Sequence, residues 1–467
     1  MKTPFTLVYG TDAVILNSDV PWLAHGHIFP YLELSKRLLI RKNFYIYLCS
    51  TPINFTSINT FIHNNNLSES IEVVQLHLQP SNELPPHYHT TKNLPSDLVF
   101  TLLEAFQTAK SSFSDIITTL KPDLVIFDVF QPWAARLASS QSIPAVHFAP
   151  LGAATRSYAY HHYVRRHPDG DFPFQELRFG DDNEKKSLDG LFQFMYYNVF
   201  EEDEDVVFVN YRLSTDIALL KTSRGLEGKY IDYVSAVCHR KLLPVGPLVA
   251  DVNKDDDEEE KYSDMMEWLS KKNQHSTVYI SFGSEYFLSK PEIEEIAKGL
   301  ELCDANFIWV IRFPLGEDEI SVEDALPKGF LERVKERGVV VSGWAPQARI
   351  LAHQSTASFV SHCGWSSLNE SVYYGVPVIG MPMKLNMFID CRMLVEAGAC
   401  VEVERDENGV YKGEEIAKAI RKVVAESSGE GLRQRAQELS EKMKMEEGQE
   451  LDEVAESLWQ LCLKNKD

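Results

Sequence analysis

Long apolar runs are missing from this chain. No stretch reaches the roughly 18 to 20 consecutive apolar residues that span a bilayer, so an integral membrane protein is not expected. An excess of positive charge is missing too. Lys and Arg number 46 against 68 Asp and Glu, a formal net charge of −22. Nucleic acid and anionic membrane both need a cationic face, so neither is expected as a partner. A phosphate-bearing small molecule stays open, because helix N-termini and backbone amides bind phosphate without a basic surface. No basic segment followed by an apolar stretch opens the chain, so no signal peptide is read. The cysteines are few and scattered: Cys49, Cys238, Cys303, Cys363, Cys391, Cys400 and Cys462. Their number is odd and no C-x-x-C pair occurs, which points to reduced thiols in the cytoplasm and to no metal site. Also absent is a G-x-G-x-x-G turn after a strand, which removes the NAD-dependent oxidoreductases from consideration.

What the chain does have is alternation. Short β-rich apolar runs recur at Tyr45–Cys49, Leu124–Phe127, Ala145–Phe148, Val206–Asn210, Val278–Phe282, Phe307–Ile311, Val339–Val341, Phe359–Val360 and Val378–Gly380. Several are apolar throughout, as strands buried on both faces of a parallel sheet must be. Ala13–Leu16 is a candidate for the first strand. Helical periods lie between the runs. Ile293, Ile296, Ala297 and Leu300 share one face, and Ser289 with Glu292 forms a capping box ahead of them. Strand–helix alternation of this kind predicts an α/β protein with doubly wound sheets. Pro244-Val245-Gly246-Pro247 and the acid run Asp255 to Glu260 mark a linker over 244–262. Residues 1–243 and 263–450 then form two domains of similar size. A final helix over 451–467 is expected to pack back on the first of them.

The residues that promise chemistry concentrate between Trp344 and Met387. An aromatic, Trp344, offers a stacking face for a base. Gly364, after His362 and Cys363, lets backbone approach a phosphate. Ser366 and Ser367 sit where a helix starts before Leu368, and a helix N-terminus favours anions. Glu370, one turn on, is placed to accept hydrogen bonds from ribose hydroxyls. Two further signals lie in the first half. Gly26-His27-Ile28-Phe29-Pro30 puts a His at the carboxyl edge of the first sheet, where ligands bind, with a side chain suited to proton abstraction near neutral pH. His25 is its neighbour and the alternative. Asp128 closes the apolar run Leu124-Val125-Ile126-Phe127 at the same edge; a helix N-cap is the plainer role for it.

The window from Trp344 through Gln347, His362-Cys363-Gly364-Trp365, Glu370 and Gly375-Val376-Pro377 resembles the signature box of plant UDP-dependent glycosyltransferases. The resemblance covers the chain from about residue 20 onward. It implies an α/β GT-B fold, two doubly wound Rossmann-like domains facing a cleft. It implies inverting transfer of a sugar, glucose first among the candidates, from a UDP-sugar to a small-molecule hydroxyl. Trp344 would stack on uracil and Gln347 would contact the nucleoside. His362, Ser366, Ser367 and Ser284 would hold the diphosphate, Glu370 the ribose, and Trp365 would border the sugar. His27 would be the general base and Asp128 its orienting carboxylate, a His–carboxylate arrangement without a nucleophile. No cofactor is implied beyond the UDP-sugar co-substrate, and the chain is read as a monomer.

Three positions depart from that family. Ser366 stands where Asn is usual, Asn386 where Asp or Glu is usual, and Met387 where Gln or His is usual. The last two normally bind the sugar hydroxyls, and a neutral amide and a thioether make weaker partners there than an acid and a polar side chain. UDP-xylose and UDP-rhamnose are therefore rival donors, and a UDP-sugar-binding homologue without turnover is the second reading. Pro21–His27, Cys49–Asn54, Pro85–Thr91 and Phe282–Phe287 resemble the branch that extends the sugars of flavonoid, terpenoid, lignan or apocarotenoid glycosides. Residues 1–20 are atypical, and Thr3 to Leu16 resembles the integrase region of plant retroelement polyproteins instead. The aromatics Tyr158, Tyr160, Tyr163, Phe192, Phe194, Tyr196 and Tyr197 read either as an acceptor wall or as core.

Overall fold

Two parallel sheets organise the chain. The computed structural model describes residues 15–464 except Pro80, Asn93, Asp181, Glu285 and the stretches 165–171, 200–207, 253–260 and 314–320. The acid run 255–260 and the segment before Ile15 thus lie outside the described residues. The first sheet contains β1 (Ile15–Val20), β2 (Phe44–Ser50), β3 (Ile71–Gln75), β4 (Leu124–Phe127), β5 (Ala145–Ala149), β6 (Ile217–Leu220) and β7 (Lys241–Pro244), in the order β3-β2-β1-β4-β5-β6-β7. The second contains β8 (Thr277–Ser281), β9 (Asn306–Ile311), β10 (Gly338–Ser342), β11 (Thr356–Ser361), β12 (Val378–Gly380) and β13 (Cys400–Glu402), in the order β10-β9-β8-β11-β12-β13. The strands pair in parallel throughout both sheets. β4, β5, β6 and β8 are buried along their whole length, and β4 and β6 are apolar throughout, as strands covered on both faces can be.

The helices used below are α1 (His25–Arg41), α2 (Ala153–Ala159), α3 (Arg224–Cys238), α4 (Lys290–Leu302), α5 (Gln347–Leu351), α6 (Trp365–Tyr373), α7 (Met387–Glu396), α8 (Gly413–Val424) and α9 (Ser427–Lys464). α4 begins with the capping box predicted at Ser289 and Glu292. Among the described residues no helix is long and apolar enough to cross a membrane.

One strand expectation needs correction. No described residue of Val206–Asn210 forms a strand: Val209 and Asn210 open a short helix, Val209–Leu213. A strand there would bury the Asn210 amide among apolar neighbours. In the helix the amide donates to the carbonyl of Val129 at 2.8 Å, and the strand forms four residues after the helix, as β6. The first strand covers Ile15–Val20, in register with Phe44 to Leu48 on one side and Leu124 to Phe127 on the other; Ile15 and Leu16 of the expected run lie in it, and Ala13 and Val14 lie outside the described residues. Its polar middle hides it from a search for apolar runs. Asn17, Ser18 and Asp19 are all buried there. Asn17 Nδ2 donates to Asp19 Oδ1 at 2.7 Å, and Ser35 Oγ of α1 donates to Asp19 Oδ2 at 3.1 Å.

The halves are tied by apolar packing and by α9. One core cluster joins Ala153, Ala154 and Tyr158 of α2 to Trp365, Leu368, Ile389 and Met393 of the second half. Early in α9, Ala436, Leu439 and Met443 pack in that shared cluster. Later, Leu451, Val454, Leu458 and Leu461 pack with β1, β2 and β4 residues of the first half. Charge pairs reinforce the crossing: Arg41 with Asp452 at 2.7 Å, Lys42 with Glu456 at 2.7 Å and Lys241 with Glu453 at 2.6 Å. All three are exposed, so each adds at most about 1 kcal/mol.

Candidate active site

In each sheet the strand order reverses direction once, between β1 and β4 in the first and between β8 and β11 in the second. The crevice beyond the carboxyl ends at such a point is where doubly wound sheets bind ligands. His27 follows β1 and Asp128 follows β4 directly. Ser284 follows β8 and His362 follows β11 directly. The sequence-predicted residues therefore fall at both switch points.

At the first, His27 lies in the opening turn of α1 rather than in a loop. Its Nδ1 is 2.7 Å from Asp128 Oδ2, with the imidazole partly exposed and the carboxylate fully buried. The same oxygen accepts the Trp22 N–H at 2.9 Å, and Oδ1 accepts the Val129 N–H at 2.7 Å. Asp128 thus caps no helix; it is fixed by backbone donors and aimed at His27. With Nδ1–H donated to the carboxylate, the Nε2 lone pair is the basic one. His25 has no such partner. Burial, helped by Lys92 and Arg312, pushes its imidazole down to about 4. A T-shaped contact 5.2 Å from Phe29 accounts for its position.

At the second switch point His362 is buried against two glycines. A Cβ on Gly283 would sit 2.6 Å from its Cε1 and Nε2, and one on Gly364 would sit 2.5 Å from Nε2. Both positions therefore need glycine. Burial and Lys384 push His362 down to about 4, so the ring is neutral. Its Nδ1 is buried with no partner among the described residues. Gly364 is the N-cap of α6, and Ser366 and Ser367 lie in its first turn. Gln347 opens α5 and donates through Nε2 to Glu370 Oε2 at 2.5 Å. Burial pushes the Glu370 carboxyl up, against the opposing pull of Gln347 and Lys221. Trp344, in the loop after β10, leaves 54% of its surface exposed, an open aromatic face beside the Gln347–Glu370 pair.

Two predicted residues are turned to other partners. The Trp365 indole is buried, and its Nε1–H donates to the Lys221 carbonyl of the opposite half at 2.6 Å. It acts as a wedge between the halves and packs on Gly152. Asn386 donates its amide to Asp390 Oδ2 at 2.7 Å, one turn along α7. Thr155 of α2 donates to the other oxygen, Oδ1, at 2.7 Å. Asp390 is fully buried, and burial pushes its carboxyl well above the ordinary range. An acid is thus present near the sugar end of the box, one turn below the position expected for it. Met387 is half-buried at the start of α7. Sequence reasoning also missed Lys221, which directly follows β6 and donates through Nζ to Ser366 Oγ at 2.7 Å across the cleft.

The aromatic segment is mostly core. Tyr158 and Phe192 are buried, Tyr163 stacks on Phe192 at 4.2 Å, and Phe194 stacks on Phe100 at 4.3 Å. The side chain of Tyr196 lies outside the described residues. A cavity of about 750 Å³ opens between β3 and the helix Lys110–Leu120, lined by residues such as Gln75, His77 and Ser112. None of its lining residues belongs to the site above.

Comparison with known proteins bears directly on this arrangement. Residues 230–440 match the family model described as "UDP-glucoronosyl and UDP-glucosyl transferase". The chain is 47% identical over 452 residues to UDP-glucosyltransferase 29 of Panax ginseng, covering 96% of this chain and 97% of that protein. It is 47% identical over 441 residues to the beta-D-glucosyl crocetin beta-1,6-glucosyltransferase of Gardenia jasminoides, covering 94% and 98%. The structure of Phytolacca americana UGT2 with UDP-2fluoro-glucose and pterostilbene aligns at a TM-score of 0.75 and 25% identity, over 95% of this chain and 99% of that one.

Proposed function

Because the chain belongs to the UDP-dependent glycosyltransferase family and has its GT-B fold, we propose that it moves glucose from UDP-glucose onto a sugar hydroxyl of an existing plant glycoside. The observation that carries this reading is the His27–Asp128 pair at one switch point, set against the α6 N-terminus and the Gln347–Glu370 pair at the other. His27 Nε2 takes the acceptor hydroxyl proton. The acceptor oxygen attacks the anomeric carbon, the bond to the diphosphate breaks, and its electron pair leaves on UDP. Inversion follows from single displacement. Asp128 holds the imidazole in the tautomer that exposes Nε2 and balances the imidazolium that forms.

In the donor half, Trp344 stacks on the uracil and Gln347 contacts the nucleoside. Glu370 accepts from the ribose. The amides of the α6 N-terminus, Ser284, Ser366, Ser367 and His362 surround the diphosphate, where donors fixed in advance stabilise the departing charge. The Gardenia relative acts on a substrate that already carries glucose, which supports a glycoside as acceptor.

The test is a donor-by-acceptor screen read by mass spectrometry. UDP-glucose, UDP-xylose and UDP-rhamnose are each offered with aglycones and with their monoglucosides. The expected product is a monoglucoside heavier by one hexose. UDP binding without transfer from any donor would overturn the proposal in favour of a homologue that binds without turnover.

A further inference from the structure

Lys221 is buried, yet it belongs to neither switch point. It directly follows β6, in the acceptor half, and crosses the cleft to Ser366 in the first turn of α6. Its carbonyl holds the Trp365 indole, so backbone and side chain both grip the start of that helix. The arrangement is electrostatically odd. A helix N-terminus carries positive partial charge and favours anions, and here a buried ammonium is pressed against it. An ammonium has three donors, and among the described residues its hydrogen bond goes to a neutral hydroxyl, Ser366 Oγ. Glu370 and Glu33 act on it from a distance, but burial outweighs them and pushes Lys221 down to about 8. At the same helix start, the buried Nδ1 of His362, just before the α6 N-cap, has no partner among the described residues. A cation and a helix N-terminus brought together from two halves are relieved by one kind of ligand, an anion shared between them.

We propose that Lys221 is a diphosphate-binding residue contributed by the acceptor half. Its Nζ bridges Ser366 and a diphosphate oxygen of the donor, and it neutralises the charge that collects on UDP as the anomeric C–O bond breaks. Ser366, where the resembling family has Asn, accepts from Lys221 and so aims it. Donor binding then also draws the two halves together, because the anion has partners on each side. This inference rests on the α6 N-terminus being the donor diphosphate site.

Calorimetry with UDP and with uridine separates the two ideas. In the full-length Lys221→Gln variant, UDP affinity is expected to fall about 10- to 100-fold while uridine affinity is unchanged. Lys221→Arg is expected to restore most of the loss. A Lys221→Gln protein whose UDP-to-uridine affinity ratio equals that of the wild type would overturn the proposal, and Lys221 would then be a strut between the halves. If Lys221→Gln does not fold, Lys221→Met is measured in its place against the same two outcomes. If the wild type itself binds UDP no better than uridine, the α6 diphosphate site is wrong, and that failure is distinct from the first.

Discussion

A buried carboxylate in the middle of a sheet is costly unless it is protonated or well paired, and Asp19 shows how one side chain sets a pH limit on the fold. Asn17 and Ser35 donate to it, but burial dominates and pushes it up to about 7. The folded state therefore holds a proton that the unfolded chain releases near pH 4. Stability from this group is complete below the unfolded carboxylate range and is lost as pH rises through about 7. Asp19→Asn mimics the protonated form and keeps an acceptor for Ser35. It is expected to gain roughly 1–4 kcal/mol over the wild type at pH 8 and little at pH 4, read by chemical denaturation at both values. An equal effect at both pH values would show that Asp19 is not protonated by burial. At this scale the sequence was readable where chemistry needs a rare residue in a fixed setting. His27, Asp128, His362 and Glu370 are such cases; the first three lie at a carboxyl edge, and Glu370 lies in the helix that follows one. Lys221, Thr155 and Asp390 were not readable. Their partners lie 145 and 235 residues away, and no local spacing reports a contact across a cleft.

Elements explain which parts of the site moved. Strands built on a continuous apolar run, such as β4 and the Val-Tyr-Ile centre of β8, announce themselves. β1 does not, because its centre is Asn-Ser-Asp, and β6 is only four residues long and follows another apolar run, whose Val209 and Asn210 open a helix. α7 carries the donor question. The family resemblance puts Asn386 at the sugar end as a weak substitute for an acid. The helix instead couples Asn386 to the buried acid of Asp390, one turn on, and through Asp390 to Thr155 of the other half. Asn386→Asp alone would set two carboxylates at hydrogen-bond distance, so it is a poor test of donor choice. The exchange Asn386→Asp with Asp390→Asn keeps the hydrogen bond and moves the acid toward the sugar. It is expected to raise transfer from UDP-glucose severalfold relative to UDP-xylose and UDP-rhamnose in competition assays. An unchanged donor ratio would place sugar choice outside α7.

The whole molecule divides the labour between two sheets and then binds them together. The first half holds the His27–Asp128 pair, and the second holds Trp344, Gln347, His362 and Glu370. Trp365 on the Lys221 carbonyl, Thr155 on Asp390, the Glu184 ion pairs with Arg392 and Arg405, and the length of α9 all cross between them. Doubly wound architecture was legible from the alternation of runs, because both sheets follow the same local rule. The crossings were not, since each depends on the closed arrangement of two separately folded halves. The division of labour is the central claim, and one paired measurement tests it most directly: UDP affinity by calorimetry alongside transfer rate, in His27→Ala and in Trp344→Ala. His27→Ala is predicted to lose transfer at least 100-fold, as expected for removal of a general base, while binding UDP as the wild type does. Trp344→Ala is predicted to weaken UDP by about 1–3 kcal/mol through loss of the stacking face. A His27→Ala enzyme that still transfers sugar, or that loses UDP instead, would contradict the account.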